Sequence, residues 1–258
     1  MKKVVDFLGN QSIWVLCFTS LLILVCSCSH MPPEYLEAMP PEYLEAVENA
    51  ANPQPDEIYS DLTPISSANT ELVRKNVDGE EFVLVVSWVG DASYYRQTDQ
   101  KGFYNTGRRD IWVTVVPELK ERCAEPGFGG DDIGLRLKQL LGMPRSTKKS
   151  NFVEFWVRTE ELFRPCPDAE IDDRRCELNL PNHVTQKHRK WFNSKRAESY
   201  CHKEGCRSIV PYPWTQLGYT FDWGSTAPHI GLSEFVIEKE SDVFVNRIVP
   251  TLEYCRGD

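Results

Sequence analysis

The chain has 258 residues, 41% of them hydrophobic and 26% charged, a composition that excludes a fibrous or wholly disordered polymer and fits a globular domain with appendages. Its formal net charge of −9 and sequence pI near 5.2 exclude a surface built to wrap a nucleic-acid backbone, which needs concentrated positive charge.

The first element is a leader. Lys2 and Lys3 precede an apolar run over residues 13–26 (IWVLCFTSLLILVC), followed by Ser27 and Cys28. At 14 residues the run is shorter than the roughly 18–20 needed to cross a bilayer core, and it suits the hydrophobic centre of a signal peptide. Val25-Cys26-Ser27-Cys28 resembles the motif of the bacterial lipoprotein class: an aliphatic residue, two residues that are usually small, and the cysteine at which lipoprotein signal peptidase cuts. Cys28 fits better than Cys26 or Cys17 because Ser27 before it is small, whereas Val25 and Leu16 are bulky. The resemblance implies removal of residues 1–27, a diacylglyceryl thioether on Cys28 and usually a third acyl chain on its new amino terminus. Each buried CH₂ contributes about 0.8 kcal/mol, and two chains suffice for stable anchoring. It also implies a membrane-anchored place in the cell envelope outside the cytoplasm. Ser29 stands where lipoproteins retained at the inner membrane of enteric-type diderms carry Asp, which resembles the outer-membrane-sorted class.

Residues 28–70 read as an acidic, Pro-rich tether. They hold a perfect tandem octapeptide, MPPEYLEA at residues 31–38 and again at 39–46. Its prolines stand where a helix can start, but each unit is shorter than the roughly 12 residues an isolated helix needs in water. Tyr35-Leu36 and Tyr43-Leu44 are, in a sharper reading, two docking points for a partner; the plain tether is the expectation.

A single globular α+β domain is expected over residues 71–258. Residues 82–89 (FVLVVSWV), 111–116 (IWVTVV) and 152–157 (FVEFWV) are β-rich runs bounded by turn-forming or polar residues. Asp131 and Asp132 follow GFGG and precede Ile133, Leu137, Leu140 and Leu141 at helical spacing, which predicts a capped amphipathic helix. Residues 217–223 alternate, with Leu217, Tyr219, Phe221 and Trp223 on one face and Gly218, Thr220 and Asp222 on the other, the pattern of a half-buried strand. Residues 232–237 and 243–249, separated by the polar EKESD, predict an antiparallel hairpin or meander. The sum is a mostly antiparallel sheet with a few short helices.

Beyond residue 28 the cysteines are Cys123, Cys166, Cys176, Cys201, Cys206 and Cys255, an even set that reads as a disulfide framework in an oxidising compartment. Six cysteines allow about 15 pairings, among which sequence alone does not select. Cys166 with Cys176 and Cys201 with Cys206 would close short loops, leaving Cys123 for Cys255.

Common catalytic signatures are missing: the chain has no GxSxG, HExxH, GxxxxGK[ST] or GxGxxG. In GFGGDD two carboxylates at a helix start repel an anion and serve as caps. His183, His188, Cys201, His202 and Cys206 form the densest metal-like group. His183 and His188, however, are five residues apart, a rotation of roughly 140° on a helix, and a Cys201–Cys206 bridge competes with zinc. No metal or cofactor is expected, with His188, Cys201, His202 and Cys206 the candidates if one binds. Residues 168–173 (DAEIDD) lack the glycine and distal glutamate of an EF-hand loop and read as a solvated loop. Residues 186–196 set Lys187, Arg189 and Lys190 beside Trp191, as in a helix that binds anionic envelope surfaces or, the favoured reading, a solvent-facing helix anchored by Trp191.

Two further groups bear on function. Asp222 and Glu234 lie in apolar, aromatic strands with His229 between them; a carboxylate pair can divide acid and base roles in glycan cleavage. Tyr212 and Trp214, in PYPW, are the better surface candidates of an aromatic-rich stretch. The leading expectation is a non-enzymatic lipoprotein that binds an envelope protein or peptidoglycan; the alternative is a periplasmic or surface hydrolase using Asp222, Glu234 and His229.

Overall fold

Asp78 and Gly79 both adopt positive φ, 53° and 88°, as a two-residue type I′ turn requires. They close the hairpin between β1 (Arg74–Val77) and β2 (Glu80–Val89), paired from Arg74↔Val83 to Val77↔Glu80. The computed structural model describes residues 39–96, 102–200 and 210–256. The leader with Cys28, the first octapeptide copy, Cys201, His202 and Cys206 therefore lie outside the described residues. Ahead of the hairpin stands α1 (Pro41–Ala50). After it come β3 (Phe103–Asn105), β4 (Ile111–Val115), α2 (Val116–Ala124), α3 (Ile133–Leu140), β5 (Asn151–Arg158) and β6 (Leu162–Phe163). The chain continues through α4 (Gln186–Ser199), β7 (Tyr219–Phe221), β8 (Ile230–Ser233), β9 (Phe235–Ile237), β10 (Asp242–Pro250) and α5 (Thr251–Arg256).

The domain is α+β, and every strand pairing among the described residues is antiparallel. The main sheet runs β3-β10-β5-β2-β4-β9-β6, with β1 beside β2. β2 and β5 pair from Phe82↔Arg158 to Val89↔Asn151 and are buried on two faces. Val83, Val85, Val153, Phe155 and Val157 enter one core; Leu84, Val86, Trp88 and Phe152 enter the other. Double burial is why these strands read as nearly continuous apolar runs.

β1 and β4 share one edge of β2, and β4 pairs there only at Val85 and Val86. It then leaves with β9 and β6, bringing Ile111, Val113, Leu162, Phe235 and Ile237 to the first core. Helices α2, α3 and α5 cover the second through Leu119, Leu137, Leu140 and Tyr254. Asp132 caps α3 as the sequence predicts, accepting the Leu135 N–H at 2.9 Å. Cys123 is bonded to Cys255, joining α2 to α5, and Cys166 to Cys176.

Residues 217–223 depart from the expected half-buried strand. Only Tyr219–Phe221 is extended, and the whole stretch is buried on both faces. Hydrogen bonding makes the polar face tolerable inside: Thr220 Oγ1 donates to the Leu140 carbonyl at 2.6 Å and accepts from the Leu232 N–H at 2.9 Å. The expected hairpin between residues 232–237 and 243–249 does not form either. β8 pairs with β7, β9 with β4 and β6, and β10 with β3 and β5. The linking backbone is diverted by residues 106 and 107: Glu240 N–H donates to the Gly107 carbonyl at 2.7 Å and Ser241 N–H to Thr106 Oγ1 at 3.0 Å.

The folded part does not begin near residue 71. Met39, Tyr43, Val47, Leu62 and Ile65 are all buried, so a Pro-rich, acidic stretch that composition assigns to the tether is part of the domain. Each such apolar side chain contributes about 1.5–3 kcal/mol on burial, which outweighs the local composition. No helix of the described residues is long and apolar enough to cross a membrane.

Candidate functional site

A cleft of about 620 Å³ lies between the end of β2, β4, the last turn of α4 and residues 212–214, within the size range of small-ligand sites. Tyr94, Trp112, Lys149, Tyr212, Trp214 and Glu234 give it its chemistry. Two of the few large hydrophobic side chains that stand well exposed among the described residues belong to it, Tyr94 at 52% and Tyr212 at 43%. Behind them an aromatic wall is locked in place. Trp214, only 6% exposed, meets Trp112 and Trp191 edge-on, each with centroids 6.0 Å apart, and its indole N–H donates to the Pro165 carbonyl at 3.1 Å. Trp191 donates to Asp110 Oδ2 at 2.7 Å.

Glu234 reaches the cleft because β8 and β9 part there, its N–H donating to the Gly218 carbonyl at 2.9 Å. Glu234 is half-buried and lines the cleft. Burial without a compensating partner among the described residues pushes its carboxyl up to about 8, so at neutral pH it is mainly a neutral acid that can donate a hydrogen bond. Glu154 in β5 shows the opposite balance. Burial alone would raise it, but Arg247 (2.8 and 2.9 Å) and Asn246 (2.8 Å) donate to it and hold it below the ordinary carboxylate range. Lys149, on the same cleft as Glu234, is lowered by burial. The two ionisable groups are thus both shifted toward neutrality.

Asp222, His229 and Glu234 do not assemble as a hydrolytic constellation. The cleft takes in Glu234 but neither of the others. Asp222 is fully buried and accepts both ends of the Arg136 guanidinium at 2.8 and 2.6 Å, with Arg122 at 3.8 Å. Both carboxylate oxygens are thus engaged by Arg136, which ties residue 222 to α3. His229 stacks on Phe221 with centroids 4.8 Å apart, and its Nδ1 lies 3.2 Å from the Asp222 carbonyl. Asp222→Ala is expected to cost about 3 kcal/mol in unfolding free energy, because it strands Arg136 beside an emptied pocket; urea denaturation measures it, and a loss below about 1 kcal/mol would make the pair an ordinary surface contact.

Of the other candidates, Tyr212 is exposed as expected, whereas Trp214 is buried, although it lines the cleft. α4 forms over the predicted residues with Thr185 as its cap. Lys187 pairs with Glu238, Arg189 donates to the Pro181 carbonyl at 3.0 Å, and Lys190 is exposed. Phe192 is buried and Trp191 packs on Phe163, Trp112 and Trp214, so the helix has no free aromatic face to lay into a membrane. His188 is held between Phe163 and Trp191, with Nε2 2.7 Å from the Cys166 carbonyl, and burial lowers it; its prospective zinc partners lie outside the described residues.

The DAEIDD loop is organised around a side-chain cation. Arg164 is fully buried over the Phe235 ring. It donates to the carbonyls of Thr63, Glu170, Ile171 and Asp173 at 3.0–3.3 Å. Asp168, Glu170 and Asp173 bring one oxygen each within 4.8 Å of one another, a set that could take a cation, and burial pushes Asp168 up to about 6. The loop is therefore structured, not simply solvated.

No family model matches the chain, and no match is found among the curated proteins or the solved structures. Tyr94, Trp112 and Lys149 carry no sequence signal as site residues: each sits in or beside a strand or loop whose neighbours are equally aromatic or charged, and only the folding of β4 against β2 gathers them.

Proposed function

We propose that the chain is a lipid-anchored protein of a bacterial cell envelope, held by Cys28, whose domain binds another envelope component in the cleft without transforming it. The Val25-Cys26-Ser27-Cys28 motif supports the anchor, and the Cys123–Cys255 and Cys166–Cys176 bridges fit an oxidising compartment. The observation that carries the binding reading is the pair of exposed tyrosines, Tyr94 and Tyr212, at the mouth of a cleft with a fixed tryptophan wall. Exposed aromatics over a concave site supply contact area at low entropic cost. A peptidoglycan strand offers sugar faces to stack on these rings and amide carbonyls to accept from the Glu234 carboxyl; an envelope protein is the other partner of the right kind.

The double variant Y94A/Y212A is expected to weaken capture of isolated cell-wall fragments by on the order of tenfold or more, as loss of two central aromatic contacts does, with the fold retained. Co-sedimentation measures it, and unchanged capture would remove the cleft from the reading. Glu234 also favours a second reading, a hydrolase, because a carboxyl raised by an apolar site is the usual proton donor of such enzymes. Glu234→Gln separates the two: a hydrolase loses turnover, whereas a binding module keeps its donor and its capture.

A further inference from the structure

α1 is the second octapeptide copy extended by one turn, and it is seated in a groove on the domain. Met39, Tyr43, Ala46, Val47 and Ala50 are buried against Phe221 and Trp223, with Leu135, Tyr200 and Val210 at the margins. Tyr43 is the anchor. It is fully buried, its ring meets Trp223 edge-on at 5.7 Å, and its hydroxyl donates to the Pro211 carbonyl at 2.9 Å. The outward residues are Pro41, Glu42, Glu45, Glu48 and Asn49. Pro41 occupies the first helical position, where its missing N–H costs nothing.

Every docking residue within this copy recurs eight positions earlier: Met31, Tyr35, Leu36 and Ala38 stand where Met39, Tyr43, Leu44 and Ala46 stand. We propose that the groove is a binding site for the sequence MPPEYLEA and that the first copy exchanges with the second for it within one chain, moving the point of attachment by eight residues. A groove shaped by Tyr43 and Met39 has no means of rejecting an identical octapeptide.

What separates the two registers lies after the repeat. Val47 and Ala50 are buried, and their counterparts behind the first copy are Met39 and Glu42, interrupted by Pro40 and Pro41, which stop a helix one turn early. The second copy is therefore the favoured occupant and the first the minor one. The connection permits the exchange. With the first copy seated, residues 39–50 must bridge a gap that five helical residues span in about 7–8 Å, whereas 12 residues reach about 40 Å when extended. A connection this short keeps the competing copy at roughly millimolar effective concentration, which favours the same chain over a second one. On the anchored reading, the exchange shortens the segment between Cys28 and the groove from residues 29–38 to residues 29–30, drawing the cleft toward the membrane by up to about 28 Å.

The test uses the full chain in detergent, with backbone hydrogen exchange read separately over residues 31–38 and 39–50, so its outcome does not depend on acylation. In the unaltered chain the second copy is expected to be protected. In Tyr43→Ala, protection should pass to residues 31–38, slowing their exchange by on the order of tenfold or more, and Y35A/Y43A should abolish it. Deleting either copy leaves the same sequence, so a single-copy chain carrying Tyr43→Ala is the control without a substitute. Ala50→Glu, which keeps Tyr43 and gives the second copy the handicap of the first, should divide protection between the copies and serves if Tyr43→Ala fails to fold. Unchanged exchange over residues 31–38 in both variants would overturn the proposal. So would protection there that disappears on 100-fold dilution, since the occupant would then be a second molecule.

Discussion

Replacing Cys123 and Cys255 together by alanine will lower the unfolding free energy by on the order of 4–5 kcal/mol in the chain-entropy account of cross-links. The two cysteines are 132 residues apart in sequence, so the bridge removes the freedom of half the chain from the unfolded state. In the folded state it ties α2 to α5, two of the three helices that cover the second core, beside Phe152. Both sulfurs lie in that apolar cluster, and alanine leaves no polar group behind. The Cys166–Cys176 ring spans 10 residues and by the same account contributes roughly 2–3 kcal/mol. Urea denaturation of the oxidised protein and of the two double variants, with slopes compared as well as midpoints, measures both losses. A loss below about 2 kcal/mol for the long bridge would mean that the unfolded chain keeps α2 and α5 together without it.

Much of the fold is legible in the sequence where the signal is local. FVLVVSWV, IWVTVV and FVEFWV become β2, β4 and β5 within two residues of the expected ends, because β-branched and aromatic runs of that length have few alternatives. Asp132 caps α3 because a carboxylate before an amphipathic run satisfies a free N–H wherever the helix ends up. The failures are those of partner choice. Nothing in residues 232–249 reveals that Thr106 and Gly107 bind the backbone of residues 240–241 and that β10 goes on to pair between β3 and β5. Nothing in the composition of residues 39–65 reveals a groove waiting for Tyr43. The alternation of residues 217–223 was a true period-2 pattern, yet its polar face faces Leu140 and Arg136 rather than water, and only those partners, distant in sequence, decide that.

The candidate site is less legible for the same reason. Glu234 stands out in sequence as a carboxylate among apolar neighbours, and it does reach a cleft. Asp222 stands out in the same way and instead closes an ion pair with Arg136, 86 residues away. Two acids in similar local settings thus have different roles, set by whether a guanidinium is delivered to them by another element. Tyr212 is legible as an exposed aromatic through its flanking prolines, while Tyr94 and Lys149 belong to the cleft only because the end of β2 and the approach to β5 run beside it.

Glu234→Gln is therefore expected to stabilise the protein at high pH and to change it little near pH 4–5. In the unfolded chain the carboxyl loses its proton near 4.5, whereas in the folded domain it holds it up to about 8. Below the first value both states are protonated and the group makes no difference. Between the two the unfolded state alone releases the proton, so stability falls as pH rises, by roughly 3–5 kcal/mol in total, and the loss is complete above the folded value. Glutamine has no proton to lose and escapes the decline. Glu154 works in the opposite sense, since Arg247 lowers it: its contribution is present above the ordinary carboxylate value and is lost as pH falls through the lowered one. Denaturation of the unaltered protein and of Glu234→Gln at pH 5 and pH 9 isolates the first effect, because Glu154 stays unaltered in both. Curves that run parallel from pH 5 to pH 9 would mean that water enters the cleft and ionises Glu234 in the ordinary range, and a donor hydrogen bond from its carboxyl to a ligand would then be lost at neutral pH as well.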